Sequence, residues 1–386
     1  MYDKTYYAEL YKNYISYTAI KDVLADIETI DYAIVKGVPL AVYLKQNDRV
    51  SSDIDFLINR KDADFAFNVF VNNGFEIEAT HSDLSEINLF YRMYTHQLPP
   101  IHKPMNRIMV RVDINFNIYW GEHNAEYKLT ESILADYTYM EKFNVRFRTL
   151  PPIQSFIHMC LHHYKDINSL YILYEIKRIN PRHFFEVCRF IEQNRIHINP
   201  ELIRDIAQKY QALPYVYYML YYTGILYPDS KLKDYIECCK TDDGEALLNC
   251  YGLNSKERKV WRVDFKERIN RTDLDKLILN DFSIEDMNKS KYYVCWRKYL
   301  MRVSQEKMLK IFIEALQEVD ILLGQNIGLD NFTDNLYEMG VDSICMIFLL
   351  VRIEEIFNIK IPNEYMDISE LDTLEKVWNM TNSLIG

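Results

Sequence analysis

Two short segments of this chain alternate apolar and polar residues with a period of two, the signature of strands with one face turned from the core. In residues 53–58, Ile54, Phe56 and Ile58 fall on one face and Asp53 and Asp55 on the other, so two carboxylates project from the same side. Residues 111–117 repeat the pattern, with Val112, Ile114 and Phe116 on the buried side and Arg111, Asp113 and Asn115 opposite. If the two strands are neighbours in one sheet, a third carboxylate joins the first two. Apolar spacing predicts a helix over about residues 5–30, a strand over 32–35 that stops at Lys36-Gly37, and a helix over 38–44. A polar loop over 45–52 then leads into the first alternating strand, and a helix ending at Gly74 follows it.

Residues 151–227 read as helical. The most apolar stretch, 215–227, lies between Pro214 and Pro228 and is too short for a bilayer of about 30 Å, so it reads as a buried helix and no membrane association is expected. Residues 231–299 mix charge and aromatics without a motif and read as a helical extension. From residue 304 the pattern predicts a helix through Leu323, a long loop, a helix from Ser343 to about Phe357, a turn around 362–367 and a last helix from Thr373. The Ser343 helix carries Ile344, Ile347, Phe348 and Val351 at helical spacing. Before it, Leu336, Met339 and Val341 give a loop that packs down, Gly340 permits a tight turn, and Asp342-Ser343 stands where an N-cap opens a helix. Free backbone N–H groups and the helix dipole favour an anion there, so Ser343 is well placed to bear a phosphodiester.

Over roughly eighty residues this segment resembles acyl and peptidyl carrier proteins. The resemblance implies a 4'-phosphopantetheine arm on Ser343, installed by a phosphopantetheinyl transferase. Charge agrees: residues 304–386 hold 5 Lys and Arg against 15 Asp and Glu, a net of −10, so nearly all of the chain's −11 resides there. An acidic helical module suits docking on basic patches of partner enzymes.

The 386 residues leave room for two or three domains, and 49% hydrophobic with 26% charged residues is a globular composition. Tyrosine is abundant at 31 residues while Gly and Pro number 10 and 11, which argues for helical packing with few long linkers. Seven cysteines form no CxxC pair and read as free thiols of a reducing compartment, with the cytoplasm expected. The first residues have no basic start followed by an apolar run, so secretion is not expected. The near-neutral body lacks the basic stripe of a nucleic-acid binder. No Gly-x-Ser-x-Gly elbow, Walker loop or Gly-x-Gly-x-x-Gly run is present. His158 and His162 share a helix face but lack the glutamate of a zinc-protease motif, and they read as structural or cleft-lining.

Three clustered carboxylates repel one another unless a divalent cation neutralises them, and oxygen-only ligands suit Mg²⁺ or Mn²⁺ completed by nucleotide phosphate. Gly37 would let backbone approach those phosphates, with Lys36 or Arg49 in contact. The ordered set is Lys36-Gly37 after a strand, a helix, Arg49-x-x-Ser52-Asp53-x-Asp55, a helix ending at Gly74, and Asp113 on a later strand. It resembles the nucleotidyltransferase superfamily of the polymerase-β type, most closely its minimal bacterial branch, over about residues 20–300. That resemblance implies an α+β fold in which a mixed sheet bears the carboxylates and a helical C-terminal part closes the cleft, followed here by an all-α four-helix carrier domain. Asp53 and Asp55 match the metal-binding pair, Asp113 the third carboxylate, which binds metal or helps deprotonate the attacking group. Lys36, Gly37, Arg49 and Ser52 fall in the nucleotide-binding positions. Where the wider superfamily usually has Gly-Ser or Gly-Gly, this chain has Gly37-Val38. The expected organisation is a transferase over residues 1–303 and a carrier over 304–386, working in thiotemplated biosynthesis. Two rivals are an inactive transferase scaffold serving as a docking protein, and a protein-nucleotidylating regulator.

Overall fold

The computed structural model describes residues 4–46, 51, 53–77, 95–120, 128–284, 286–287, 305–319, 328–357, 359–362 and 370–385. The chain divides into two compact units, residues 1–77 with 88–293, and residues 78–87 with 294–386.

The first unit opens with α1 (Lys4–Ala19) and α2 (Lys21–Asp26). One continuous helix was the expectation. Thr18 instead bonds through its hydroxyl to the Tyr14 carbonyl at 2.8 Å, a back-bond that bends helices, and Ile20, Val23 and Leu24 turn onto the sheet. There follow β1 (Tyr32–Val35), α3 (Gly37–Leu44), β2 (Ile54–Ile58), α4 (Ala63–Asn72) and β3 (Glu76–Ile77). The next elements are β4 (Ile101–Met105), β5 (Ile108–Asn115), α5 (Lys128–Ala135), β6 (Thr138–Lys142) and β7 (Val145–Thr149).

These strands make one mixed seven-stranded sheet in the order β3-β4-β5-β2-β1-β7-β6. β1 pairs antiparallel with β2, and β2 pairs in parallel with β5. Helices cover both faces, so the sheet has two cores. Ile34, Ile54, Phe56 and Ile58 pack with α1, α2 and α4 on one side. Val35 and Leu57 face α3 and the helical part on the other. On the first side Phe56, Phe70 and Phe75 meet edge to face at 5.1 Å between successive rings, a geometry worth about 0.5–1.5 kcal/mol per pair beyond burial.

The helical part comprises α6 (Pro152–Asn168), α7 (Leu170–Ile176), α8 (Arg182–Asn194), α9 (Pro200–Lys209) and α10 (Leu213–Leu226). Pro152 starts α6 at a position where its missing N–H costs nothing. α10 is apolar around its whole circumference and is accordingly buried, as its composition predicts. α8 is locked to α3: Asn194 donates to the Tyr43 carbonyl at 2.8 Å and Arg189 to that of Leu44 at 3.3 Å. The extension holds α11 (Lys233–Cys239), α12 (Asp242–Leu247), α13 (Phe265–Asn270) and α14 (Leu274–Ile278). It also holds a ribbon of β8 (Cys250–Tyr251) and β9 (Lys259–Val260), whose two-residue strands are too short to leave a periodic signal.

In the second unit α15 (Gln305–Val319), α16 (Ser343–Phe357) and α17 (Leu374–Ile385) pack around Phe312, Leu316, Met346, Leu349 and Val377. The expected turn lies, beyond Pro362, outside the described residues, as does the end of the first helix after Val319. Among the described residues no helix is long and apolar enough to cross a membrane. The six described cysteines are free thiols.

Candidate functional site

The parallel pairing of β2 with β5 sets Asp55 directly opposite Asp113. On its other side Asp55 faces Val35, the last residue of β1. Because helices cover this face too, Asp55 is only 4% exposed, whereas Asp53, one residue before β2, and Asp113 are half-buried. Asn115 donates to the Phe56 carbonyl at 3.1 Å and to Asp55 Oδ1 at 3.4 Å. Ser51 Oγ donates to Asp53 Oδ1 at 3.1 Å.

Lys36 closes the group from the β1–α3 turn. Its backbone lies at φ +59°, ψ −140°, a region suited to glycine, which costs on the order of 1–3 kcal/mol for another residue. Two bonds hold it there: Leu40 N–H donates to its carbonyl at 2.9 Å, and its Nζ donates to Asp55 Oδ1 at 2.6 Å. Lys36, expected on a phosphate, thus sits on the buried carboxylate, which needs a counter-charge in that dry position. Burial pushes the Asp55 carboxyl up while Lys36 pulls against it. Burial also opposes the Lys36 charge, but Asp55, with Asp53 and Asp113 behind it, holds the ammonium above its ordinary range. Gly37 follows at φ +28°, and a Cβ there would lie 3.2 Å from both Cβ and Oγ of Ser51. The bare glycine therefore lets Ser51 close over the turn. Arg49 and Ser52 lie outside the described residues.

α6 turns His158, His162 and Lys165 toward these strand ends, at i, i+4 and i+7. Burial, with Lys36 and Lys165 nearby, lowers the His158 imidazole to about 3. Burial likewise drives His96 and His162 well below the usual histidine range. These rings are neutral at physiological pH, so positive charge on this side comes from Lys36 and Lys165. Lys165 itself is lowered by burial. Sequence reasoning placed Asn115 on the face of Asp113 without giving it a role, and passed over Lys165, although Lys165 shares the helical spacing of the two histidines.

The three carboxylates fit a hard divalent cation by donor chemistry, since they offer only oxygen. As arranged, however, Asp55 is held by Lys36, and among the described residues no three of His, Cys, Asp and Glu are grouped to hold a metal ion. A cation there would have to bring ligands of its own.

In the second unit Ser343 is the first residue of α16 and is exposed. Asp342 caps the helix, its Oδ1 accepting from Cys345 N–H at 2.9 Å. That bond holds the Asp342 carboxyl below its ordinary range. The preceding loop is pinned from both ends: Leu336 N–H donates to the Asp372 carbonyl at 2.7 Å, and Val341 N–H to that of Leu336 at 3.0 Å. Leu336 and Val341 are buried and Met339 is half-buried. Gly340 sits at φ +90° with nothing within 4 Å of a Cβ position, so backbone conformation alone calls for glycine. Of the apolar residues of α16, Ile344, Ile347, Phe348 and Val351 form an exposed stripe, while Cys345, Met346, Leu349, Leu350 and Ile353 form its buried side.

A mixed sheet carrying paired acidic strands and backed by a helical part defines a nucleotidyltransferase-like unit, and the capped Ser343 helix a carrier unit. The chain belongs to a family described as uncharacterised nucleotidyltransferase, whose model matches residues 13–228. A second model, described as a phosphopantetheine attachment site, matches residues 315–378. A solved structure of an antigenic nucleotidyltransferase-like protein from Paracoccidioides brasiliensis aligns with 54% of this chain and 92% of its own, at 15% identity and a TM-score of 0.31. No curated protein matches the chain.

Proposed function

We propose that residues 1–303 transfer a nucleotidyl group from an NTP to an acceptor, and that residues 304–386 carry substrate or product on a phosphopantetheine arm at Ser343, within thiotemplated biosynthesis in the cytoplasm. The observation that carries the transferase reading is the register of β2 on β5, which sets Asp55 against Asp113 beside the cationic pair Lys36 and Lys165. A triphosphate entering between these groups offers Lys36 an alternative anion and frees Asp55. Mg²⁺ or Mn²⁺ is expected to arrive with the triphosphate, held by Asp53, Asp55 and Asp113, and to supply neutralisation of phosphate charge. The acceptor hydroxyl, amine or carboxylate attacks the α-phosphorus and pyrophosphate leaves. Tethering the acceptor on the arm raises its local concentration to about the millimolar range for a short linker.

Calorimetric titration of the full-length protein with each NTP and Mg²⁺ tests the transferase half. Binding that is lost in Asp55→Asn supports it. No binding by a folded protein sinks it and favours the second reading, a docking protein with an inactive transferase scaffold, to which the Lys36–Asp55 ion pair also lends weight. Label transfer from an NTP to another protein would instead favour a nucleotidylating regulator. The intact mass of protein from its native host tests the carrier half, with the gain expected at Ser343.

A further inference from the structure

Lys36, which bonds Asp55, also borders a cavity of about 230 Å³, lined among others by His158, His162, His163, His183 and Glu186. It falls short of the roughly 300–1,000 Å³ of pockets that enclose a whole drug-sized ligand, and it suits the reacting end of a small polar molecule. Three of its residues form a chain. Glu186, 2% exposed, accepts from Arg182 Nε at 2.9 Å through Oε1 and stands 3.1 Å from His163 Nε2 through Oε2. His163, 5% exposed, stands with its Nδ1 2.7 Å from Nδ1 of His183. His183 is half-buried and borders the cavity.

Hydrogen-bond arithmetic assigns the protons. An ionised carboxylate accepts only, and the Arg182 bond favours that form of Glu186, so His163 carries a proton on Nε2. Two nitrogens 2.7 Å apart share one proton, because two lone pairs or two N–H groups would repel. In the neutral pair His163 Nδ1 is the acceptor, His183 Nδ1 the donor, and the basic lone pair of His183 is on Nε2.

We propose that Glu186, His163 and His183 form a proton relay in which His183 is the base toward a neutral O–H or N–H nucleophile seated in this cavity, a role that rests on the nucleotidyl-transfer reading while the relay itself does not. The nucleophile loses its proton to His183 Nε2 and bonds to the α-phosphorus, and the bond to pyrophosphate breaks. The Nδ1 proton of His183 then moves to His163 Nδ1. The positive charge comes to rest on His163 beside Glu186, and that proton later returns to solvent. Glu186 and His163 are positioning residues. Among the described residues, the charged groups that line the cavity with His183 include Arg182 on its own helix, Asp166 from α6 and Lys36.

Long-range ¹H–¹⁵N spectra of the full-length protein labelled at histidine test the relay first. At alkaline pH His163 is expected as the Nε2–H tautomer and His183 as the Nδ1–H tautomer, with both signals shifting in Glu186→Gln. His163 protonated on Nδ1, or a His183 signal indifferent to Glu186→Gln, overturns the relay whether or not the protein turns over any NTP. Pyrophosphate release from the four NTPs, with water as acceptor, then tests the role. His183→Ala is expected to lose about 10²–10⁴-fold, with part restored by added imidazole. A folded His183→Ala as active as wild type overturns the base. Correct tautomers in a wild-type protein that releases no pyrophosphate uphold the relay and sink the nucleotidyl reading alone.

Discussion

Asp55 lies within a sheet buried on both faces, 4% exposed and tied to Lys36 at 2.6 Å, whereas Ser343 stands exposed at the first turn of α16, which Asp342 caps. On the proposed reading, the contrast follows from what each group is asked to do. A carboxylate that steers phosphate charge gains strength from a dry surrounding, where electrostatic interactions are less screened, and such a site requires layers of helix on either side. A serine that accepts a bulky arm from another enzyme needs an open approach, and one turn of exposed helix provides it. Substitutions on the two units should therefore fail in different ways.

The largest effect belongs to Ser343→Ala. Arm attachment is expected to vanish completely with the fold unchanged, so an intact-mass gain equal to wild type would mean that the arm resides on another residue. Asp55→Asn comes next. Nucleotidyl transfer is expected to fall at least on the order of 10²–10³-fold, as when a preorganised electrostatic group is removed, while arm attachment at Ser343 continues at its normal rate. Loss of both activities in one folded variant would break the comparison between two separately failing units.

Lys36→Met probes the cost of the dry site itself. Removing one partner of a buried ion pair costs about 3–5 kcal/mol, read as a lower urea midpoint at unchanged slope. The pH dependence has a defined sign. Burial raises the Asp55 carboxyl, and without Lys36 nothing comparable opposes it. An acid whose folded pKa exceeds its unfolded value weakens the fold at pH above both and stops doing so below both. The deficit is thus greatest at neutral pH and disappears as pH falls through the ordinary carboxyl range. A deficit that grows on acidification would contradict the ion pair.

The two regions also differ in how far the sequence alone discloses them. Period-two alternation identified β2 and placed Asp53 and Asp55 on the opposite face from Ile54, because a strand's pleat projects its side chains strictly in turn. It gave no sign that the opposite face is also covered, since Leu57 alone marks it inside β2. The relation of His163, His183 and Glu186 was invisible for another reason: α6 and α8 meet through tertiary packing, and no local pattern encodes which turns of two helices touch. In α16 the boundaries were legible from the Asp342 cap and the end of the apolar run. Its buried side was not, because Ile344 and Cys345, Met346 and Ile347 are alike apolar and the helix carries little polar contrast to orient it. The apolar stripe singled out by spacing proved to be the exposed one.

That ambiguity yields the two smallest effects. Gly340→Ala keeps open space around the new methyl but forces alanine to φ +90°, at about 1–2 kcal/mol. Ile347→Asn removes an apolar side chain that is 51% exposed, next to Met346 at 0%. Stability is expected to change by no more than about 0.5 kcal/mol, as for ordinary surface sites, whereas Met346→Ala on the same turn should lose about 2–5 kcal/mol. Thermal melts of the two variants in the full-length protein read the difference directly, through the transition of the second unit. If Ile347→Asn were the more damaging, the helix would be rotated on its axis from the orientation described. Ser343, four residues before Ile347 and so nearly on the same face, would then turn inward, where no transferase could reach it.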